Sequence, residues 1–186
     1  MAGVERARLE AGLPEVLRAP ANEGTLELIV RRPVEAEREL LDEGQLDAEV
    51  GLVGDRWSTS GSSKTPDGGP NPEAQLTVTN ARAIRLISDG DGLDRWAEAG
   101  DQLYVDLDLS EANLPAGTRL QIGETVIEVT PAPHTGCGKF LKRFGVDAVK
   151  VFNSAEGRAA RLRGLNARVV KPGTVRRGDR VEKIEP

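Results

Sequence analysis

The chain has one cysteine, Cys137, set in the run Pro131-Ala-Pro-His-Thr-Gly-Cys-Gly-Lys-Phe140. Glycine on either side lets backbone or ligand approach the sulfur closely. The run follows a strand pattern and leads into the helical spacing of Phe140, Leu141 and Phe144, so the thiol is expected at a helix start, beside partly positive N–H groups. Lys139, Lys142 and Arg143 follow within about two turns. Such surroundings hold a thiol below its ordinary value of about 8.5 and populate the thiolate, the form that attacks sulfur or binds a soft metal. A lone free cysteine is more often inert packing; the Gly-Cys-Gly setting and the neighbouring cations weigh against that here. His134, the only histidine, lies three residues upstream. It is spaced to serve as a general base or hydrogen-bond donor to the same ligand, or to fix the loop by a hydrogen bond.

Two further groups offer anion chemistry. Gly51-Leu-Val-Gly-Asp-Arg56 reads as a strand end that delivers Asp55 and Arg56 to a site, where a planar guanidinium anchors an anion; the alternative is a structural Asp–Arg pair. Arg158, Arg161, Arg163, Arg168, Lys171, Arg176 and Arg177 form a basic series, of which about five are expected to be solvated. Arg168, inside the strand-like Asn-Ala-Arg-Val-Val, is the one expected to turn inward. Ser60 to Thr65 (SGSSKT) has Ser63 where a phosphate loop needs glycine before the lysine, which excludes a triphosphate site of that kind. Asp89 to Asp94 lacks the calcium-loop glycine, and Gly100 stands where the twelfth-position glutamate belongs, so a turn and a helix cap explain it.

The elements that must position these residues follow from periodicity. Val4 to Leu17 has helical spacing interrupted at Gly12-Leu-Pro14, which predicts a frayed or two-part helix. Thr25 to Arg31 reads as a strand stopped by Pro33. Leu40 to Val50 reads as helix or loop, and Ser58 to Ala74, rich in Ser, Gly and Pro, as a flexible loop. Gln75 to Asn80 alternates as a strand, with Asn80 capping a helix through Ile87; a short helix is expected around Leu93 to Ala97. Strands are predicted at Leu103 to Leu109, Arg119 to Ile122 and Thr125 to Thr130, helices between Gly138 and Leu162, and a closing pair of strands at Ala167 to Val170 and Arg180 to Ile184. Closely spaced strands with glycine turns favour an antiparallel sheet or barrel.

With 186 residues, 38% hydrophobic and 30% charged, the chain fits one globular domain and is too short for two large catalytic ones. No apolar run approaches the roughly 20 residues that span a bilayer. One cysteine excludes an intrachain disulfide, and one histidine beside it excludes a multi-ligand zinc cage. The first twenty residues lack an apolar core and carry three glutamates, unlike a signal or presequence, so the chain reads as cytoplasmic and reduced. Charge is divided: residues 1–136 hold 12 Lys+Arg against 25 Asp+Glu, and residues 137–186 hold 13 against 5. With only six aromatics, the stacking residues of nucleic-acid binders are missing, which leaves a small anionic ligand as the partner that fits the basic third.

Gly51-Leu-Val-Gly-Asp-Arg56, Leu114-Pro-Ala-Gly-Thr-Arg-Leu-Gln-Ile-Gly123, Val126 through Cys137-Gly-Lys139, and Gly164-Leu-Asn-Ala-Arg-Val-Val170 with Arg177-Gly-Asp179 together resemble the MOSC domain, the C-terminal domain of molybdenum-cofactor sulfurases. The likeness runs from about Thr25 to Ile184, leaving residues 1–24 as an N-terminal extension of a single domain. It implies a mainly β fold with peripheral helices, a mostly antiparallel β-barrel of the pyruvate-kinase-barrel-like type. It also implies that Cys137 carries sulfur as a persulfide or serves as the thiolate on molybdenum in a molybdopterin-type cofactor. On our reading of the residues, Asp55, Arg56, Lys139, Asn166 and Arg168 are expected around the anionic ligand, and His134 is expected to take part in catalysis. The pyridoxal-phosphate domain of the sulfurases has no room in this chain. A separate electron-donor, sulfur-donor or acceptor protein is therefore expected, and the activity would be sulfur transfer or reduction of N-hydroxylated substrates. The alternative is a non-catalytic module that delivers cofactor or sulfur to a partner enzyme.

Overall fold

The computed structural model describes residues 3–90, 92–135 and 138–184. In chain order its strands are β1 (Glu23–Arg31), β2 (Glu39–Leu41), β3 (Glu43–Asp47), β4 (Gly51–Leu52), β5 (Leu76–Asn80), β6 (Leu103–Asp106), β7 (Arg119–Ile122), β8 (Thr125–Val129), β9 (Leu165–Lys171), β10 (Gly173–Arg176) and β11 (Arg180–Ile184). Seven of them form a closed ring in the order β1-β11-β7-β8-β9-β5-β6 and back to β1. Every neighbouring pair in the ring is antiparallel except β5–β6, which is parallel. An antiparallel pair can close through a tight turn, as β7 and β8 do at Gly123-Glu124, whereas a parallel pair needs a crossover. Helices α1 (Arg6–Val16), α2 (Ala81–Ser88), α3 (Leu93–Ala97), α4 (Gly138–Phe152) and α5 (Ala155–Ala159) surround the ring, and α2 with α3 supplies that crossover. The fold is a mixed, mostly antiparallel β-barrel with peripheral helices.

Leu26, Ile29, Val78, Leu103, Val105, Leu120, Ile127, Ala167 and Val169 fill the barrel. Leu28, Val30 and Tyr104 point outward instead and pack beneath α1, α2 and α4 with Ile84, Trp96 and Phe144. Strand β1 is therefore buried on both faces, which is why its sequence turns wholly apolar at Leu28-Ile-Val30. Its pairing with β6 shifts register between Leu26 and Leu28.

Three expectations change. Helix α1 is continuous through Pro14, because Leu9, Leu13 and Val16 lie on one buried stripe. Burying three such side chains is worth about 1.5–3 kcal/mol each, enough to offset the roughly 3 kcal/mol cost of an internal proline. The same packing joins α1 to the helical layer. Leu40 to Val50 contains strands, not a helix: Gly44 and Leu46 face inward, and a glycine at an inward position hides the period of two. Finally, β9 and β11 are not partners. β9 pairs with β8 and β5, β11 with β7 and β1, and β10 joins β3 and β4 in a separate three-stranded sheet. The Ser58 to Ala74 segment is bounded by 3-10 turns at Arg56–Thr59 and Pro72–Ala74, bridged by Trp57 Nε1 donating to the Asn71 carbonyl at 3.3 Å. No helix among the described residues is long and apolar enough to cross a membrane.

Candidate functional site

Two cavities adjoin the start of α4, and Arg163 lines both. The smaller, about 150 Å³, is walled by Arg32, Arg38, Arg56, Lys139, Arg143 and Arg163, with Glu35 the one carboxylate among its described lining residues. These cations come from five separate places: the residue after β1, the loop before β2, the 3-10 turn after β4, the first two turns of α4, and the approach to β9. Lys139 and Arg143 are four apart on one helical face. Lys139 forms an exposed ion pair with Glu35, and that contact holds the Glu35 carboxyl below its ordinary value.

Asp55 organises this wall from behind. Its Oδ2 accepts from the backbone N and Nε of Arg32 at 2.9 and 2.8 Å, and its Oδ1 accepts from Arg32 Nη2 at 2.8 Å and Trp57 N at 3.0 Å. Asp55 therefore pairs with Arg32 and not with its sequence neighbour Arg56, which is left to line the cavity. Arg38 donates to the Glu37 carbonyl at 2.5 Å, while its buried Nε has no hydrogen-bond partner among the described residues. Burial, and then the charges of Arg143 and Arg32, push its pKa down. A cluster of like charges with an unanswered donor is a setting for an anion.

The larger cavity, about 410 Å³, has His134 and Thr135 on one side and Arg158, Arg161 and Arg163 on the other. Behind it lies a buried chain of three charged or polar groups. His134 Nε2 is 2.7 Å from Asp101 Oδ1, and Asp101 Oδ2 accepts from Arg163 Nη1 at 2.6 Å. Arg163 Nη2 donates to the Ala99 carbonyl at 3.0 Å, and its guanidinium lies 4.9 Å from the Phe140 ring centroid. The Asp101 side chain is 0% exposed. Burial pushes its carboxyl up, but the charge of Arg163 and the contact with His134 outweigh that and hold it below the ordinary value. Burial first, and then the charge of Arg163, push His134 down, so its imidazole is neutral at neutral pH. Asn166 Nδ2 donates to the Ala132 carbonyl at 3.1 Å and so braces the loop that carries His134.

Cys137 lies outside the described residues, so its expected role rests on its place in the chain. Thr135, two residues before it, lines the larger cavity; Lys139 and Phe140, two and three after, line the smaller. Arg168 does not turn inward. Its side chain is 57% exposed and binds Glu128 Oε1 at 2.6 Å, because Ala167 and Val169 take the inward positions of β9. Five of the basic series are exposed, the number expected but with Arg168 among them beside Arg158, Lys171, Arg176 and Arg177, and the buried one is Arg163. Its signal in the sequence was the following glycine. Gly164 has φ +100°, and a Cβ there would come within 2.3 Å of the Val78 carbonyl oxygen. Asp101, Arg32 and Arg38 had no such marker. Among the described residues no group of three or more His, Cys, Asp and Glu side chains could hold a metal ion.

The family model for the MOSC domain matches residues 67–182. The structure of the YUAD protein from Bacillus subtilis superposes with a TM-score of 0.59 at 15% identity, covering 87% of this chain and 95% of that one. The structure of YiiM from Escherichia coli superposes with a TM-score of 0.53 at 19% identity, covering 87% of this chain and 70% of that one. At these identities the likeness is one of fold. No match was found among curated proteins.

Proposed function

The chain belongs to the MOSC domain family, and from that membership we propose that it binds an anionic cofactor of the molybdopterin type, with Cys137 as its sulfur ligand or as the carrier of sulfur for it. One observation carries the reading: six cationic side chains face one carboxylate around a cavity walled by the first turns of α4, a helix that begins one residue after Cys137. The charges present fit the phosphate end of such a group. Arg38 and Arg163 each keep a buried Nε without a partner among the described residues, and phosphate oxygens are the acceptors that guanidinium groups answer best.

In this reading Arg56, Lys139 and Arg38 neutralise the anion, and Arg32, held by Asp55, presents a fixed charge. Asn166 braces the loop on which His134 stands. When bound, the cofactor supplies redox chemistry at molybdenum, of the kind that reduces N-hydroxylated compounds. His134, held neutral, accepts a hydrogen bond on the side of the larger cavity. A thiol used in this way is kept reduced in the cytoplasm, the compartment this reading assigns, and the electron or sulfur donor is a separate protein.

The test is metal analysis and intact mass of protein from molybdate-fed cells, for the native chain and for Cys137→Ala. Molybdenum present in the first and lost in the second is the result expected of a ligand; a persulfide on the metal-free native chain is the result expected of a carrier. Arg56→Ala should weaken retention of the anion by about tenfold or more, the worth of one charge-assisted hydrogen bond. A native chain with neither molybdenum nor persulfide overturns the proposal.

A further inference from the structure

We propose that the larger cavity binds a second ligand, a small organic monoanion that also carries a hydroxyl or N–H donor, and that Asp101 is the positioning residue that presents Nδ1 of His134 to that donor. The inference rests on reading the smaller cavity as the cofactor site, which leaves the larger one for another molecule. Its volume, about 410 Å³, is in the range of small-molecule sites. Arg158, Arg161 and Arg163 face it against one carboxylate among the described lining residues, that of Glu111, while Phe152 and Leu165 give it an apolar side. An anion with an apolar body matches that lining. Arg161 is tied at Nη1 to the Leu114 carbonyl at 2.6 Å, so its guanidinium is held in place before any ligand arrives.

Asp101 decides what His134 offers. An ionised carboxylate can only accept hydrogen bonds, so at 2.7 Å from Asp101 Oδ1 the Nε2 atom must carry the proton. In the neutral imidazole Nδ1 then holds the lone pair. The charged groups around the ring are Asp101 ahead of β6, Arg163 ahead of β9 and Arg32 beyond β1, with Glu111, Arg158 and Arg161 across the cavity. Two of the nearest three are cations, which disfavour imidazolium; the ring accepts a hydrogen bond more readily than it takes a proton. The ligand therefore keeps its donor hydrogen and places its negative charge on the arginines.

Because the chain has one histidine, nitrogen-15 NMR of the imidazole reports this site without ambiguity. The metal-free protein should show a neutral ring protonated at Nε2. The three hydroxybenzoate isomers, compared with benzoate, probe the cavity: at least one isomer should bind about fivefold to tenfold tighter than benzoate, the worth of one hydrogen bond, and should shift the Nδ1 resonance. Asp101→Asn, whose amide offers either a donor or an acceptor, should relax the ring to a mixture of tautomers; if that variant does not fold, the native measurements decide. A ring protonated at Nδ1 in the free protein overturns the proposal, and so do isomers that bind no better than benzoate and leave Nδ1 unmoved. Molybdenum content reads the smaller cavity separately, so either site can fail without the other.

Discussion

Removing either partner of the Asp101–Arg163 pair should cost far more than removing both. Asp101 is 0% exposed and Arg163 7%, and the two meet at 2.6 Å. Asp101→Leu leaves a buried guanidinium with one carbonyl partner, and Arg163→Met leaves a buried carboxylate whose remaining neighbour is a neutral imidazole. Breaking a buried pair in this way costs about 3–5 kcal/mol. Two independent losses of that size would total about 6–10 kcal/mol, comparable with the whole stability of an ordinary domain. Most of each single cost is the orphaned charge, however, so the double variant should lie within about 2 kcal/mol of the native chain, a coupling of about 4 kcal/mol or more. Urea denaturation at pH 7.5 followed by far-ultraviolet circular dichroism gives the four free energies. Additive losses would refute the reasoning, since they would mean that neither charge depends on the other for its burial.

Two more outcomes follow from the same geometry. The native fold keeps His134 neutral below the value of 6.5 at which the unfolded chain takes up a proton, so stability should fall as pH drops through 6.5; Asp101, held below 3.8, adds a second decline below that pH. Urea midpoints from pH 8 to 3 would show both, His134→Gln should remove the first, and a midpoint unchanged between pH 7 and 5 would contradict a buried neutral imidazole. Arg168→Ala should change stability by less than about 0.5 kcal/mol, because its ion pair is solvated, and should leave molybdenum content unaltered; a variant stripped of metal would return Arg168 to the site.

What could be read from the sequence was what is determined locally. The alternation of Arg119–Ile122 and Thr125–Val129 about Gly123, the Asn80 cap, whose Oδ1 accepts from Arg82 N and Ala83 N at 2.8 and 3.1 Å, and the helix at Leu93–Ala97 all depend on near neighbours. The cationic cavity does not. Its walls come from residues 32, 38, 56, 139, 143 and 163, and no local pattern reveals that they share a space. Arg163 and Arg168 show the limit most clearly, since both are arginines beside apolar residues, one just ahead of β9 and one in its middle. Strand alternation turns Arg168 outward, while the Gly164 turn ahead of the strand turns Arg163 inward. Pro14 failed as a helix breaker for a related reason, because the burial that overrides it is tertiary.

The barrel's ring is completed only where Glu23 to Thr25 meet Arg180 to Glu182. During synthesis the start of the first strand must therefore wait, with part of one edge unsatisfied, until the last strand is translated, although all six cations of the small cavity have by then emerged or are emerging. Ring completion is a late, long-range event of the kind that slows folding. A nascent chain stalled ahead of β11 would carry the binding chemistry on a sheet still open at its seam, the stage at which a chaperone has most to protect.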